Sequence, residues 1–196
     1  VDIYTCRQSE PLGLGHAVSY AESHVGNEPF AVLLADEFTD PDDKLLPRMF
    51  AKQRETGGIV LALKEVPREE VSRYGVAAID GRGDDEVVRV TGLVEKPEVD
   101  AAPSNLILIG RYVLPSAIFD AIRETKPGRG GEIQLTDAME RLLEGGMPVH
   151  GIVFDGTRHD TGAPEGYLRT IVELAWHRED LASFKEWLTA FVSAKD

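Results

Sequence analysis

The chain has 196 residues, enough for one sizeable hydrophobic core, and a formal net charge of -13. That acidic balance lacks the basic face of a nucleic-acid binder and is repelled by an anionic membrane surface, so neither nucleic acid nor membrane is expected as a partner. No apolar run approaches the ~18 residues of a membrane span, no basic start leads into an apolar block, and one cysteine, Cys6, cannot form an internal disulfide, which fits a reducing cytoplasm.

In chain order, residues 1–6 read as a strand rich in β-branched and aromatic residues. A chain that opens inside a strand, without methionine, is expected to be a fragment. Residues 8–17 hold Pro11, Gly13 and Gly15, a loop whose backbone can approach a ligand closely. A short helix follows, with Ala17, Val18 and Ala21 on one face. Phe30 to Ala35 is a continuous apolar run of strand length, the mark of a buried parallel strand, and it ends in Asp36. Asp42 to Thr56 reads as a helix with the stripe Leu45, Leu46, Met49 and Phe50. Gly58 to Val66 is a second buried strand, and Pro67 to Arg73 a helical turn leading to Gly75. Residues 81–85 form a turn before the strand Val87 to Val94.

That strand stops abruptly in Glu95-Lys96-Pro97, where proline removes a backbone donor. Side chains alternate along a strand, so the chain must bend there if Glu95 and Lys96 are to face one ligand. Asn105 to Leu114 is another strand, Ser116 to Glu124 a helix, and Ile133 to Glu144 a stronger one with Leu135, Ala138, Met139 and Leu142 at helical spacing. Val149 to Phe154 is the last clear strand, closely followed by His159-Asp160-Thr161-Gly162. Two helices close the chain, one striped by Leu168, Ile171, Val172 and Ala175, the other by Leu181, Phe184, Trp187, Leu188 and Phe191.

Without an internal repeat or a linker, residues 1–196 are expected to form one domain. Alternating strands and helices imply an α/β fold with a mostly parallel sheet, made mixed by an antiparallel portion over residues 75–114. Three acids end strands: Asp36, Glu95 and Asp160. Ligands of open α/β sheets bind at the carboxyl ends of strands, so the three are expected at one edge. Asp36 and Asp160 suit Mg2+, which takes one or two carboxylates with phosphates and water. Taken alone, each aspartate reads first as a turn or helix cap, and Glu95-Lys96 as a surface ion pair.

Eight short stretches occur in order: Gln8-x-x-Pro11-Leu12-Gly13-Leu14-Gly15-His16-Ala17, Leu33-Leu34-Ala35-Asp36, Tyr74-Gly75-Val76, Val94-Glu95-Lys96-Pro97, Ala102-Pro103-Ser104-Asn105-Leu106, Gly110-Arg111-Tyr112-Val113-Leu114, Gly131-Glu132-Ile133-Gln134-Leu135-Thr136-Asp137-Ala138 and His159-Asp160-Thr161-Gly162. Together they resemble the bacterial UTP–glucose-1-phosphate uridylyltransferases, a family also called UDP-glucose pyrophosphorylases. The resemblance covers essentially the whole chain. It implies a Rossmann-like three-layer α/β/α sandwich that joins UTP and glucose 1-phosphate into UDP-glucose with release of pyrophosphate, using Mg2+, as a homo-oligomer. It further implies that Gln8 and the backbone at Gly13 read the uracil, Gly75 and Glu95 bind sugar hydroxyls, and Lys96 binds the sugar phosphate. Asp36 and Asp160 would hold the metal, with Lys96 and Asp36 carrying the catalysis.

One departure is large. The family opens with a strand and a glycine-rich G-x-G-T-R loop that binds the nucleoside triphosphate, and nothing before Gln8 supplies them. The chain therefore reads as the C-terminal portion of such a domain, its N-terminal part missing. Two other readings stand beside the first: thymidylyl transfer to glucose 1-phosphate, and a non-catalytic module that binds a sugar phosphate.

Overall fold

A computed structural model of the protein describes residues 2–40, 43–81 and 86–194. In chain order its elements are helices α1 (Leu14–Ser19) and α2 (Glu22–Val25), strands β1 (Phe30–Leu33) and β2 (Glu37–Thr39), helix α3 (Leu45–Thr56), and strands β3 (Ile59–Glu65), β4 (Gly75–Ile79), β5 (Val87–Glu95) and β6 (Leu106–Leu114). Then come helices α4 (Ile118–Glu124) and α5 (Leu135–Glu144), strands β7 (Val149–Val153) and β8 (Arg158–Asp160), and helices α6 (Pro164–His177) and α7 (Ala182–Ser193). The chain divides into two compact units. The first takes Val1–Leu33 and Asp42–Asp155, the second Leu34–Pro41 and Gly156–Asp196.

In the first unit, among the described residues, six strands form one sheet in the order β1-β6-β3-β7-β5-β4. The sheet is mixed, as expected, but antiparallel pairing predominates: β3 and β7 run parallel, while the β1–β6, β3–β6, β5–β7 and β4–β5 pairs are antiparallel. The continuous apolar run of β3 reports burial, not direction, whereas that of β1, expected to be a buried parallel strand, is half-buried with Leu33 exposed and pairs antiparallel with β6. Strand β6 is buried at every position except Arg111, yet it is antiparallel to both β1 and β3. The chain reaches β6 from β3 through the β4–β5 pair, without a long crossover helix, and so returns in the opposite sense.

One face of this sheet is covered by α3. Leu45 and Met49 pack in a single buried cluster with Val60, Ala62, Ile107 and Ile152. Helix α3 starts at Leu45, whose N–H donates to Asp43 Oδ1 at 2.8 Å, and stops at Gly57, which adopts the left-handed conformation at φ +68. The start expected at Asp42 lies outside the described residues, as do residues 82–85 of the expected turn. On the other strand residues, Ile59, Leu61 and Leu63 are also fully buried. Helix α5 packs along β5 and against α4 and α1.

Three expectations change. Residues 2–6 form no strand and are exposed, because β propensity describes fit to a half-buried sheet surface and these residues pair with no strand among the described residues. The strand begun at Phe30 ends at Leu33, and a separate strand, β2, begins right after Asp36. In the second unit β2 pairs antiparallel with β8, a two-stranded sheet too short for periodicity to reveal. The two closing helices form, but their apolar stripes are largely exposed in the described structure, Leu168 at 62% and Trp187 at 56%. No helix among the described residues is long and apolar enough to cross a membrane.

On β7, the Nδ1 atom of half-buried His150 is buried with no hydrogen-bond partner among the described residues. Burial foremost, then the positive charge of Lys52, lowers its pKa, with Arg89 acting in the same sense and Glu55 against it. An imidazole whose folded pKa is depressed is protonated more readily when unfolded. Its contribution to stability is therefore intact above the ordinary value of about 6.5 and is lost as pH falls toward the folded pKa. Urea unfolding across that window is expected to show the loss, and His150→Leu to remove this part of the pH dependence. An identical slope in the variant would contradict it.

Candidate functional site

At the end of β5 the backbone turns sharply. Lys96 has φ +45, the left-handed region, and is the non-glycine residue there among the described residues. Such a conformation costs on the order of 1–3 kcal/mol and persists only when neighbours enforce it. Here the Lys96 N–H donates to the Tyr74 carbonyl at 3.0 Å, fixing the strand end to the entry of β4. The turn breaks the alternation of side chains and leaves Lys96 Nζ 3.6 Å from Glu95 Oε1.

Glu95 is more than half of a surface ion pair. Its side chain is 15% exposed against 44% for Lys96, and its Oε2 accepts a hydrogen bond from Thr136 Oγ1 at 2.7 Å. Thr136 lies in the first turn of α5, so the carboxylate is held between β5 and α5. Gly75 sits directly opposite Glu95 in the β4–β5 register. A Cβ at Gly75 would lie 3.2 Å from Glu95 Oε2 and 3.4 Å from Thr136 Oγ1. The glycine leaves the room that this bond occupies. Further along α5, Glu140 accepts the Leu93 N–H at 2.6 Å and ties the same strand to the same helix. Burial, and secondarily the charge of Glu95, raises the pKa of Asp137; burial first, with Glu144 and Asp137, raises that of Glu140.

The glycine-containing loop is fastened to the segment entering α5. Gly15 N–H donates to Ile133 O at 2.9 Å and Ile133 N–H to Leu12 O at 2.8 Å. A Cβ at Gly13, which has φ +101, would lie 2.8 Å from Ile133 O and from Glu132 Cβ. Only glycine fits that approach. Gln8 Nε2 donates to the Gly13 carbonyl at 3.2 Å and lies 2.9 Å from His16 Nδ1.

In the second unit, β2 and β8 bring Asp36 and Asp160 together. A Cβ at Gly162 would lie 3.4 Å from Asp36 Oδ2 and 3.2 Å from Asp160 Oδ1. The backbone of Asp36 is pinned by Thr161, whose N–H and Oγ1 donate to its carbonyl at 2.8 and 2.9 Å. Arg158, only 9% exposed, forks onto Glu37 at 2.7 and 2.8 Å and reaches Asp160 Oδ2 at 3.0 Å. Gly162 N–H donates to Asp160 Oδ1 at 3.0 Å. His159 is buried against Phe38, near Asp40 and Glu173, and anchors this unit.

Gly75, Glu95 and Lys96 thus meet in the first unit, as do Gln8 and Gly13, while Asp36 and Asp160 meet in the second. No group of three or more His, Cys, Asp or Glu side chains gathers to hold a metal among the described residues. The pair Asp36 and Asp160 nevertheless fits Mg2+, an ion commonly held through one or two carboxylates with substrate phosphates and water. Sequence reasoning assigned no role to Thr136, Arg158 or His16. Thr136 and His16 lie inside the quoted stretches, where a polar residue among apolar ones is the available signal. Arg158 lies two residues from one acid partner, Asp160, but Glu37, onto which it forks, is remote in sequence.

The nucleotidyl transferase family model matches residues 1–176. A UTP–glucose-1-phosphate uridylyltransferase of Staphylococcus haemolyticus (strain JCSC1435) is 42% identical over 175 residues, covering 89% of this chain. The chain spans 60% of the length of that relative. Among solved structures, a UDP-glucose pyrophosphorylase complexed with UDP-glucose superposes with a TM-score of 0.82 at 38% identity, over 88% of this chain and 66% of its own. A Bacillus anthracis protein provisionally assigned as a glucose-1-phosphate thymidylyltransferase is less similar, with a TM-score of 0.66 at 26% identity over 84% of this chain and 62% of its own. The Rossmann-like α/β fold expected from the sequence is the fold of these enzymes, and the chain belongs to the nucleotidyl transferase family.

Proposed function

We propose that this chain is the part of a UTP–glucose-1-phosphate uridylyltransferase that binds the sugar phosphate and reads the base. The observation that carries the reading is the strand end at Glu95-Lys96. There an anchored carboxylate and a lysine in a strained conformation stand 3.6 Å apart, opposite a glycine. An ionised carboxylate accepts from paired sugar hydroxyls, and a compact ammonium follows phosphate charge. The relatives named above, one of them complexed with UDP-glucose, support the same substrates. The weaker likeness to the thymidylyltransferase favours uridylyl over thymidylyl transfer. The family match spans residues of both units and supports treating the chain as one catalytic domain. The single cysteine and the exposed Trp187 and Phe191 support a cytoplasmic homo-oligomer.

In this reading no protein nucleophile is required. An oxygen of glucose 1-phosphate attacks the α-phosphorus of UTP, a new P–O bond forms, and the bond to pyrophosphate breaks with its electron pair leaving on pyrophosphate. Catalysis is alignment and charge neutralisation. Glu95 fixes the sugar, with Thr136 holding its Oε2 and leaving Oε1 beside Lys96. Lys96 holds the sugar phosphate in the attacking position. Gln8 and the backbone at Gly13 hold the base. Asp36 and Asp160 would hold Mg2+, which when bound neutralises phosphate charge.

Pyrophosphate release from UTP plus glucose 1-phosphate tests the reading directly, with dTTP in place of UTP for the thymidylyl alternative. Glucose 1-phosphate binding without turnover would favour the non-catalytic module.

Two sets of variants, made in an active full-length enzyme, test the assigned roles. Glu95→Gln removes charge-assisted bonds worth roughly 1.5–3 kcal/mol, so KM for glucose 1-phosphate is expected to rise about tenfold to a hundredfold, with KM for UTP nearly unchanged. Thr136→Val should move the same KM less, and Lys96→Ala should lower kcat as well as affinity. Untouched glucose 1-phosphate kinetics in all three would reduce Glu95-Lys96 to a surface pair. Asp36→Asn leaves the backbone bonds to Thr161 in place, so the melting temperature should hold while turnover falls by about a hundredfold or more. Unchanged turnover at limiting Mg2+ would remove Asp36 from the metal site.

A further inference from the structure

The amide nitrogen of Gln8 has two neighbours, the Gly13 carbonyl at 3.2 Å and His16 Nδ1 at 2.9 Å. A carbonyl can only accept, so Gly13 decides which end of the amide is nitrogen; a flipped amide would set oxygen against oxygen. Both hydrogens of the NH2 group are then used, one on Gly13 and one on His16. His16 can accept only if Nδ1 carries a bare lone pair, which puts the ring proton on Nε2. The ring is itself braced: it meets the Tyr20 ring edge-on at 5.1 Å, and the Tyr20 hydroxyl is hydrogen-bonded to Ser9 Oγ at 2.7 Å. The Gly13 carbonyl is fixed by the close packing of Gly13 on Ile133. What remains of Gln8 is its Oε1, a pure acceptor without a hydrogen-bond partner among the described residues.

We infer that His16 is a positioning residue that locks the Gln8 amide so that its oxygen faces the base, selecting uracil over cytosine. The inference rests on the reading that Gln8 meets the base. Uracil presents N3–H, which an amide oxygen accepts. Cytosine presents a bare N3 lone pair at the same place, and an oxygen facing it is repelled. Gln8 could serve cytosine only by turning its NH2 outward. That turn forfeits both bonds and sets Oε1 against the Gly13 oxygen, and His16 can meet the turned amide only by moving its ring proton from Nε2 to Nδ1. Gly13 guards one bond, and His16 adds the cost of changing tautomer before the second can re-form. 5-Methyluracil carries the same N3–H, so this device does not discriminate it.

The test is calorimetric binding of UTP, CTP and 5-methyl-UTP to the whole chain and to two variants. His16→Leu removes the acceptor, and His16→Asn puts an amide oxygen near the place of Nδ1. The preference for UTP over CTP is expected to drop about threefold to tenfold in the Leu variant and to return in the Asn variant. The ratio of UTP to 5-methyl-UTP should stay constant throughout. An equal loss for all three nucleotides would make His16 a mere loop support and overturn the inference. Wild-type chain that binds UTP and CTP alike would overturn the base reading of Gln8 and this inference with it. Nitrogen NMR of His16 decides independently of any ligand: the neutral ring should carry its proton on Nε2, and a proton on Nδ1 would overturn the lock.

Discussion

The hydrogen bond from Thr136 to Glu95, 2.7 Å long, connects the end of a strand to the start of a helix, and the rest of the first unit is consistent with it. A glycine at position 75 gives it room, because a Cβ there would crowd the Glu95 carboxylate and touch the Thr136 hydroxyl. It requires β5 to end where it does, so that Glu95 is the last residue of the ladder and Lys96 can turn out of it. It requires α5 to lie along β5, which the bond from Leu93 to Glu140 secures two residues earlier. The strain of the left-handed lysine is supported by the Tyr74 carbonyl from the neighbouring strand. A charged pair on an unconstrained surface would need none of these conditions.

The same principle recurs at the other candidate groups. Asp160 is held by the Arg158 fork, itself fixed by Glu37 on the paired strand, and Gln8 is held by Gly13 and His16. In each case the group that would touch a substrate is oriented by a second side chain or carbonyl whose own geometry is fixed by packing. Preorganisation of this kind is what a reaction without a protein nucleophile depends on, since little besides alignment and charge is left for the protein to supply.

Much of this was legible in the sequence, and the parts that were not share a cause. The buried strands and the amphipathic helices α3 and α5 follow from local periodicity, and the need for a bend at Glu95-Lys96 follows from strand alternation alone. Glycines 13 and 75 could be singled out, but what a side chain there would meet, Ile133 for the first and Glu95 and Thr136 for the second, is distant in the chain. Strand direction was misread because an apolar run encodes burial and not orientation, as β6 shows. Strands β2 and β8 escaped notice because each has three residues, below the length at which alternation can be seen. Thr136 acts on Glu95 and Arg158 on Glu37, partners that only the fold brings near, whereas His16 acts on Gln8 within one short stretch.

The most direct measurement is a crystal structure of the chain soaked with glucose 1-phosphate. The account predicts sugar hydroxyls on the Glu95 carboxylate, the phosphate at Lys96 Nζ, and the bond from Thr136 to Glu95 Oε2 preserved. A sugar phosphate bound elsewhere, with Glu95 and Lys96 keeping their ligand-free pairing, would contradict it.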